Sequence, residues 1–326
     1  PYDRFVTLQL AGDLLPDPTD DSRLATTFNR LHSQKVEGGS TLEEFRVEYV
    51  ADRNHTFAMA FLGLTLECAR CHEHKFDPIA QKEYYQLFAF FNNIDESGVY
   101  SYFTNSVPTP TLLLSTAKQK AAISAAEAKV TATESAWHKL AAGRRVAFSD
   151  WLASRGPDAK SKSPLAGRVY HNDFEKPVGG ANRSVEGRFG KAVRLSGDDG
   201  IGTGVGNFRR FQSFSVSLWM LTPDEKQRAI IFHRSRAWTD AGSRGYQLML
   251  EDGRLSGSLI HFWPGNALRV LTKRKLPVGS WHHVAMTWDG SNRASGLKIY
   301  IDGRSAATTV VRDNLYKNIS GGGGDT

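Results

Sequence analysis

The chain has 326 residues, 40% of them apolar and 23% charged, enough for two hydrophobic cores and too apolar for a disordered polymer. Its net charge of +7 is uneven: residues 1–115 carry 9 Lys+Arg against 16 Asp+Glu, and residues 161–326 carry 24 against 14. The basic excess is scattered and reads as a solvated surface rather than a nucleic-acid site, and no run of 18 apolar residues offers a membrane span.

The first hundred residues read as helices. Residues 2–15 and 20–31 carry apolar side chains at spacings of three and four, the second run opening after Pro18-Thr19-Asp20, a good capping sequence. Thr41-Leu42-Glu43-Glu44 has the form of a capping box and starts a long amphipathic run through Phe45, Val50, Phe57, Phe61 and Leu64 to Cys68. Beyond Asp77-Pro78, an aromatic-rich helix (Tyr84, Tyr85, Phe88, Phe91) is expected to pack back on it. Residues 115–153 are rich in Ala, Lys and Glu. There Ile123, Val130 and Trp137 repeat every seven residues, with Ala126, Thr133 and Leu140 three further on. Three heptads fit a single helix on the protein's body as well as an intermolecular coiled coil. Gly156-Pro157 to Ser163-Pro164 reads as a linker.

From about residue 165 the period changes to two. Phe214 to Met220, Tyr246 to Leu250, His282 to Trp288 and Leu297 to Ile301 alternate faces, with Asp252-Gly253, Asp289-Gly290 and Asp302-Gly303 as turn signals. Short strands so spaced indicate an antiparallel sandwich. The loop Gly200 to Gly206 fits no G-x-G-x-x-G register and precedes a strand, so it is not read as a phosphate loop.

The only two cysteines fall in Cys68-Ala69-Arg70-Cys71-His72, the C-x-x-C-H pattern of covalent haem c attachment. Two thiols one turn apart can add to the two vinyl groups of a porphyrin, with His72 as proximal iron ligand. Three rivals stand beside this reading: zinc held by Cys68, Cys71, His72 and His74; a thioredoxin-like dithiol; and a plain disulfide. For the distal side of the iron, Met59 and His55 lie too far back along the preceding helix, and His74 is too close to His72. His32 remains, with five-coordinate iron as the other option. A distal His32 would require an apolar slot lined by residues such as Leu31, Phe61, Leu64 and Phe88.

The run from Leu62 to Ile79, with Pro1-Tyr2-Asp3-Arg4-Phe5, Glu37-Gly38-Gly39 and Asp52-Arg53, resembles the planctomycete cytochrome-associated family of unknown function, over residues 1–105. Phe189 to Leu195, Phe214 to Trp219, Gly279 to Ala285 and Leu297 to Gly303 resemble a laminin-G-like, concanavalin-type jelly roll over 168–326. The resemblances imply an α+β multidomain chain. Its expected parts are a helical haem-motif domain (1–112), a long helical connector (113–155), a linker (156–166) and an antiparallel β-sandwich (167–326). They also imply a periplasmic, secreted or cell-surface location and either a redox partner protein or a polysaccharide ligand; a calcium ion in the sandwich has no residue pattern to support it. Trp219, Trp281 and Trp288 are expected in the sandwich core, and the loop residues Trp238 and Trp263 are the candidates for stacking on a sugar. The fold also hosts glucanases, but no strand carries the paired carboxylates that glycoside hydrolysis needs. The activity expected is electron transfer or a part in an oxidoreductase.

The chain opens on Pro1 and ends in a glycine run, and it reads as a piece of a longer protein. Laminin-G-like sandwiches usually close with strands after a G-G-x-T-like turn, one of them pairing with a first strand, here near residues 169–174. The sandwich is therefore expected to be unfinished, with an exposed edge and an uncovered apolar strip.

Overall fold

The computed structural model describes residues 1–37, 40–101, 104–154, 167–197, 199–235 and 242–322. It is α+β: helices come first and antiparallel sheets follow. The chain divides into two compact units, residues 1–111 with 172–326, and residues 112–171.

In the first unit, α1 (Tyr2–Ala11) is followed by α2 (Asp20–Ala25), whose cap Thr19 accepts the Ser22 N–H at 3.1 Å, as the sequence leads one to expect. A 3-10 turn, Thr26–Arg30, continues it. Helix α3 (Leu42–Phe57) starts without a side-chain cap at Thr41; the capping box is not formed, and Glu43 instead pairs with Arg46. A π-turn, Ala58–Leu62, extends α3 until Gly63, at φ 65°, stops it in the left-handed region that glycine adopts at little cost. Helix α4 (Gln81–Phe91) then packs back, and Ala58, Leu66, Ala69 and Tyr84 form a small core between the two.

A buried carboxylate organises this unit. Glu96 receives Arg53 Nη2 at 2.7 Å and Arg30 Nη1 at 3.0 Å, with His32 Nε2 at 3.3 Å. Burial pushes its pKa up, but hydrogen bonds from His32 and Arg53 and the charges of Arg53 and Arg30 outweigh that and hold it down to about 2. Arg30 also donates to Thr109 O at 2.9 Å, and Thr109 Oγ1 accepts the N–H of Gly265 in the sandwich at 2.9 Å. Nearby, Tyr100 stacks on Phe262 with ring centroids 5.5 Å apart, and Ser101 meets Ser243 at 3.1 Å. The helical part and the sandwich thus share a polar and aromatic junction.

The sandwich has a hairpin of β1 (Arg183–Glu186) and β2 (Lys191–Arg194) beside two larger sheets. The larger strands are β3 (Phe214–Met220), β4 (Arg228–Arg234), β5 (Gly245–Glu251), β6 (Arg254–Phe262), β7 (Asn266–Lys275), β8 (His282–Trp288), β9 (Leu297–Ile301), β10 (Arg304–Ser305) and β11 (Thr308–Asp313). The orders are β10-β9-β8-β3 and β11-β7-β6-β5-β4, antiparallel throughout. Leu248, Leu259, Leu268 and Val270 from one sheet meet Phe214, Met286, Trp288 and Ile299 from the other. Gly257 has no room for a side chain to spare, since a Cβ there would sit 3.1 Å from Met286 Sδ. Asp252-Gly253 and Asp302-Gly303 both have positive φ, the two-residue hairpin geometry that their dipeptides indicate.

Two expectations fail on local grounds. Residues 169–174 are not a strand: Asn172 and Asp173 side chains capture the N–H groups of Phe174 and Glu175, and Phe174 sits at φ 58°. Trp219 is not in the core. Phe214, Val216, Leu218 and Met220 face inward along β3, so the period of two sends Trp219 outward, where it is 41% exposed. Trp281 is half-buried, and Trp288 alone of the three is fully enclosed. With Phe189 and Leu195, Trp219 contributes to the exposed apolar residues of the sandwich.

The second unit contains α5 (Ala117–Gly143) and α6 (Arg145–Ser154), where Ile123, Val130, Trp137 and Leu140 are exposed. The linker expected over 156–164 lies outside the described residues.

The Glu96 carboxylate has a depressed folded-state pKa, so its contribution to stability is complete above the ordinary value near 4.5 and is lost as pH falls towards 2. Acid titration followed by circular dichroism should show wild-type stability falling through this window. Glu96→Gln should cost about 3–5 kcal/mol at neutral pH, since it leaves Arg53 buried without its counter-charge, and should flatten that acid dependence.

Candidate functional site

The cysteine motif sits on a tight turn held from three directions. Cys68–Arg70 is one 3-10 turn, continued by hydrogen bonds from the N–H groups of Cys71 and His72 to Cys68 O, both 3.2 Å. Ala69 points inward and is fully buried beside Leu66 and Tyr84, so the residues on either side of it must face out. Arg70 makes a two-pronged ion pair with Glu48 on α3. That contact lowers the Glu48 pKa and raises the Arg70 pKa, the hydrogen bond being the main cause of each shift. On the other flank, Tyr85 Oη and Gln81 Nε2 of α4 donate to Arg70 O at 2.9 and 3.2 Å.

Cys68 and Cys71 are both exposed and both free thiols. His72 is exposed too, with Nδ1 2.6 Å from Glu73 O. A carbonyl oxygen only accepts, so Nδ1 carries the proton and the Nε2 lone pair is left for a ligand, which is the tautomer an axial imidazole needs. These three residues fit thioether attachment and proximal ligation of a haem: the thiols are reachable, unpaired with each other and one turn apart.

The other expected ligands are used elsewhere. His32 is 1% exposed and stacks on Tyr49 with centroids 4.4 Å apart. Its Nδ1 lies 2.9 Å from Ser33 O, and its Nε2 lies 2.7 Å from Arg53 Nη2 and 3.3 Å from Glu96 Oε2. Both ring nitrogens are engaged in this structure, so His32 stands within the charge cluster and not free towards a ligand, unlike the expected distal position. Of the apolar residues expected around it, Leu31 is 79% exposed, Phe61 packs on Phe28 and Phe57, and Phe88 packs on Tyr84 and Tyr85. His74 accepts the Asp77 N–H at 2.9 Å and closes its own loop, its N–H bonding to Ile79 O at 2.9 Å. Among the described residues no three Cys, His, Asp or Glu side chains converge as a metal cage would. Beside the motif lies an open cleft of about 610 Å³, with Glu73, His74, Asp77, Pro78, Ile79 and Glu83 among its lining residues.

In the sandwich, Trp238 lies outside the described residues. Trp263 is half-buried in the β6–β7 turn, with the guanidinium groups of Arg269 and Arg312 5.2 and 5.6 Å from its ring centroid. These cations already occupy the surroundings of its ring. Sequence reasoning passed over the outward Trp219, which carries Arg188 at 5.5 Å and meets Phe189 and His283. Strict alternation along β3 was the signal that could have found it. No helix among the described residues is long and apolar enough to cross a membrane.

Ala69 is the anchor of the turn, and Ala69→Leu would force a larger side chain into a filled site. The expected cost is about 1–3 kcal/mol in urea unfolding, together with altered reactivity of the Cys68 and Cys71 thiols towards a disulfide reagent.

Residues 1–96 match the family described as PSCyt2, protein of unknown function (DUF1549), and residues 195–323 match the concanavalin A-like lectin/glucanases superfamily in its laminin-G form. No curated protein matches the chain. Among solved structures, domains LG4-5 of the mouse laminin alpha1 chain share 17% identity at a TM-score of 0.25, covering 33% of this chain and 26% of that one. A putative carbohydrate binding protein from Bacteroides ovatus shares 18% at a TM-score of 0.22, covering 33% and 28%. The chain thus spans just over a quarter of the length of either structure. It carries a PSCyt2 (DUF1549) domain at its N-terminus, followed by a laminin-G-like domain of the concanavalin A-like superfamily.

Proposed function

We propose that the chain is an extracytoplasmic electron-transfer module, holding haem c through Cys68 and Cys71 with His72 as proximal ligand, joined to a sandwich that binds carbohydrate or another protein. The observation that carries the reading is the motif's geometry: two free, exposed thiols on one turn, and an imidazole whose Nδ1–H is tied to Glu73 O with Nε2 left over. When bound, haem supplies one-electron exchange at its iron. Ala69 and the Arg70–Glu48 pair hold the turn still, and the Glu73 carbonyl orients the His72 ring. Because His32 is committed to Arg53 and Glu96, the reading carries a haem without a histidine from this position on its distal side. An exposed attachment turn suits exchange with a partner protein at the surface. A periplasmic, secreted or cell-surface location follows from the same reading, since haem c is matured outside the cytoplasm. The sandwich's part rests on its family, and it would hold the module near a polysaccharide or a neighbouring protein.

Protein matured in an exporting host with the haem-attachment machinery should give a pyridine haemochrome spectrum of covalent haem that survives acid–acetone extraction. Cys68→Ser with Cys71→Ser should abolish it. Zinc at one equivalent and no haem band would replace this reading with a structural metal, and a quantitative Cys68–Cys71 disulfide would replace it with a scaffold role.

A further inference from the structure

Three side chains of the sandwich, none of them used in the reading above, stand in a line of hydrogen bonds. Ser280 Oγ is 2.9 Å from His282 Nε2, and His282 Nδ1 is 2.8 Å from Asp302 Oδ2. Ser280 lies in the loop before β8, His282 begins β8, and Asp302 is in the β9–β10 turn. The second oxygen of Asp302 accepts the His283 N–H at 2.9 Å, and the Asp302 N–H returns to His283 O at 2.8 Å, so the carboxylate cannot swing away. The hydrogen bond from His282, followed by the one from the His283 N–H, lowers the Asp302 pKa, which keeps it ionised.

The direction of each bond follows. An ionised carboxylate only accepts, so His282 Nδ1 carries the proton and Nε2 is left as a base. The Ser280 hydroxyl then donates to Nε2. Nucleophile, base and orienting acid are in the order that acyl-transfer sites require, whatever fold they stand on. The surroundings leave room for a substrate. Gly279 and Gly303, flanking Ser280 and Asp302 in the chain, both have left-handed φ, and beyond their own chain neighbours nothing lies within 4 Å of where a side chain would start at either. Exposed Val278 and Leu221, brought near the turn by the Gly279 N–H to Thr222 O bond of 2.8 Å, offer apolar surface for a short acyl group.

The geometry points to a hydrolytic site for short-chain carboxylic esters, with Ser280 as nucleophile, His282 as general base and Asp302 as the residue that positions it. Ser280 Oγ bonds to the ester carbonyl carbon as its proton passes to His282 Nε2. The bond from that carbon to the alcohol oxygen then breaks, and the alcohol leaves with the proton, giving acyl-Ser280. Water attacks the acyl carbon, giving a proton to His282; the carbon–Ser280 bond breaks, the acid departs, and Ser280 regains its proton. Nothing is oxidised or reduced. The open setting selects small acyl groups over long chains, which would need a covered groove.

The full chain, treated with a fluorophosphonate probe and digested, should carry the label on the peptide containing Ser280, and it should hydrolyse p-nitrophenyl acetate. Ser280→Ala should abolish the label and lower hydrolysis by about 100-fold or more, with an unchanged melting curve because Ser280 is exposed. Asp302→Asn should lower hydrolysis while leaving Ser280 in place, because the carboxamide no longer fixes the His282 tautomer. Absence of label from Ser280 in the folded wild type, or hydrolysis by Ser280→Ala at the wild-type rate, would overturn the assignment and leave the three residues as a clasp between turns.

Discussion

The Glu96 carboxylate is the contact on which the arrangement of the first unit depends. It lies between Arg30 from the turn after α2 and Arg53 from the C-terminal half of α3, with His32 alongside. A buried carboxylate facing two guanidinium groups is costly to desolvate and far more costly to break, because either partner alone would be an unpaired charge in the interior. Each cation also reaches onward. Arg30 holds Thr109 O, and Thr109 holds Gly265 in the β6–β7 turn; Arg53 holds Asn29 O and the ring of His32. The residue after Arg53, Asn54, donates to Tyr84 O at 3.2 Å, which places α4 against α3 and closes the core around Ala69. One carboxylate therefore links the sandwich junction to the floor of the cysteine turn.

This dependence explains why the cysteine motif is exposed and yet fixed. Its neighbours, not its thiols, carry the packing: Ala69 fills the core, Arg70 pairs with Glu48, and Tyr85 and Gln81 hold the Arg70 carbonyl. The thiols and the His72 ring are left for chemistry. His32, by contrast, spends its ring on the charge cluster with Arg53 and Glu96.

Elements governed by local pattern were legible in the sequence. Thr19 as a cap, the aromatic helix after Pro78, the alternation of β3, β8 and β9 and the two Asp-Gly hairpins each depend on residues within a few positions of one another. Much of what could not be read depends on distance along the chain, although the Thr41 cap and residues 169–174 depart from expectation on local grounds. Glu96 meets Arg30 across 66 residues and Arg53 across 43, and no periodicity marks either pair. For that reason the sequence offers His32 as an iron ligand, and the charge cluster that claims it stays hidden. Trp219 was misjudged differently: large aromatics favour cores, but the register of β3 assigns its side chain to the outer face. Ser280 and Asp302 are joined only because β8 and β9 are neighbours. The three side chains of the cysteine motif, by contrast, are local, and their placement on one turn follows from the spacing itself.

The covalent bond between the thiols and a porphyrin is the claim to test most directly. Protein from a haem-exporting host should be denatured, treated with iodoacetamide and digested, and the peptide containing Cys68 and Cys71 weighed. The account predicts that neither cysteine is alkylated and that this peptide carries the mass of one haem. Two alkylated cysteines on a haem-free peptide, from a host shown to load another c-type cytochrome, would contradict it.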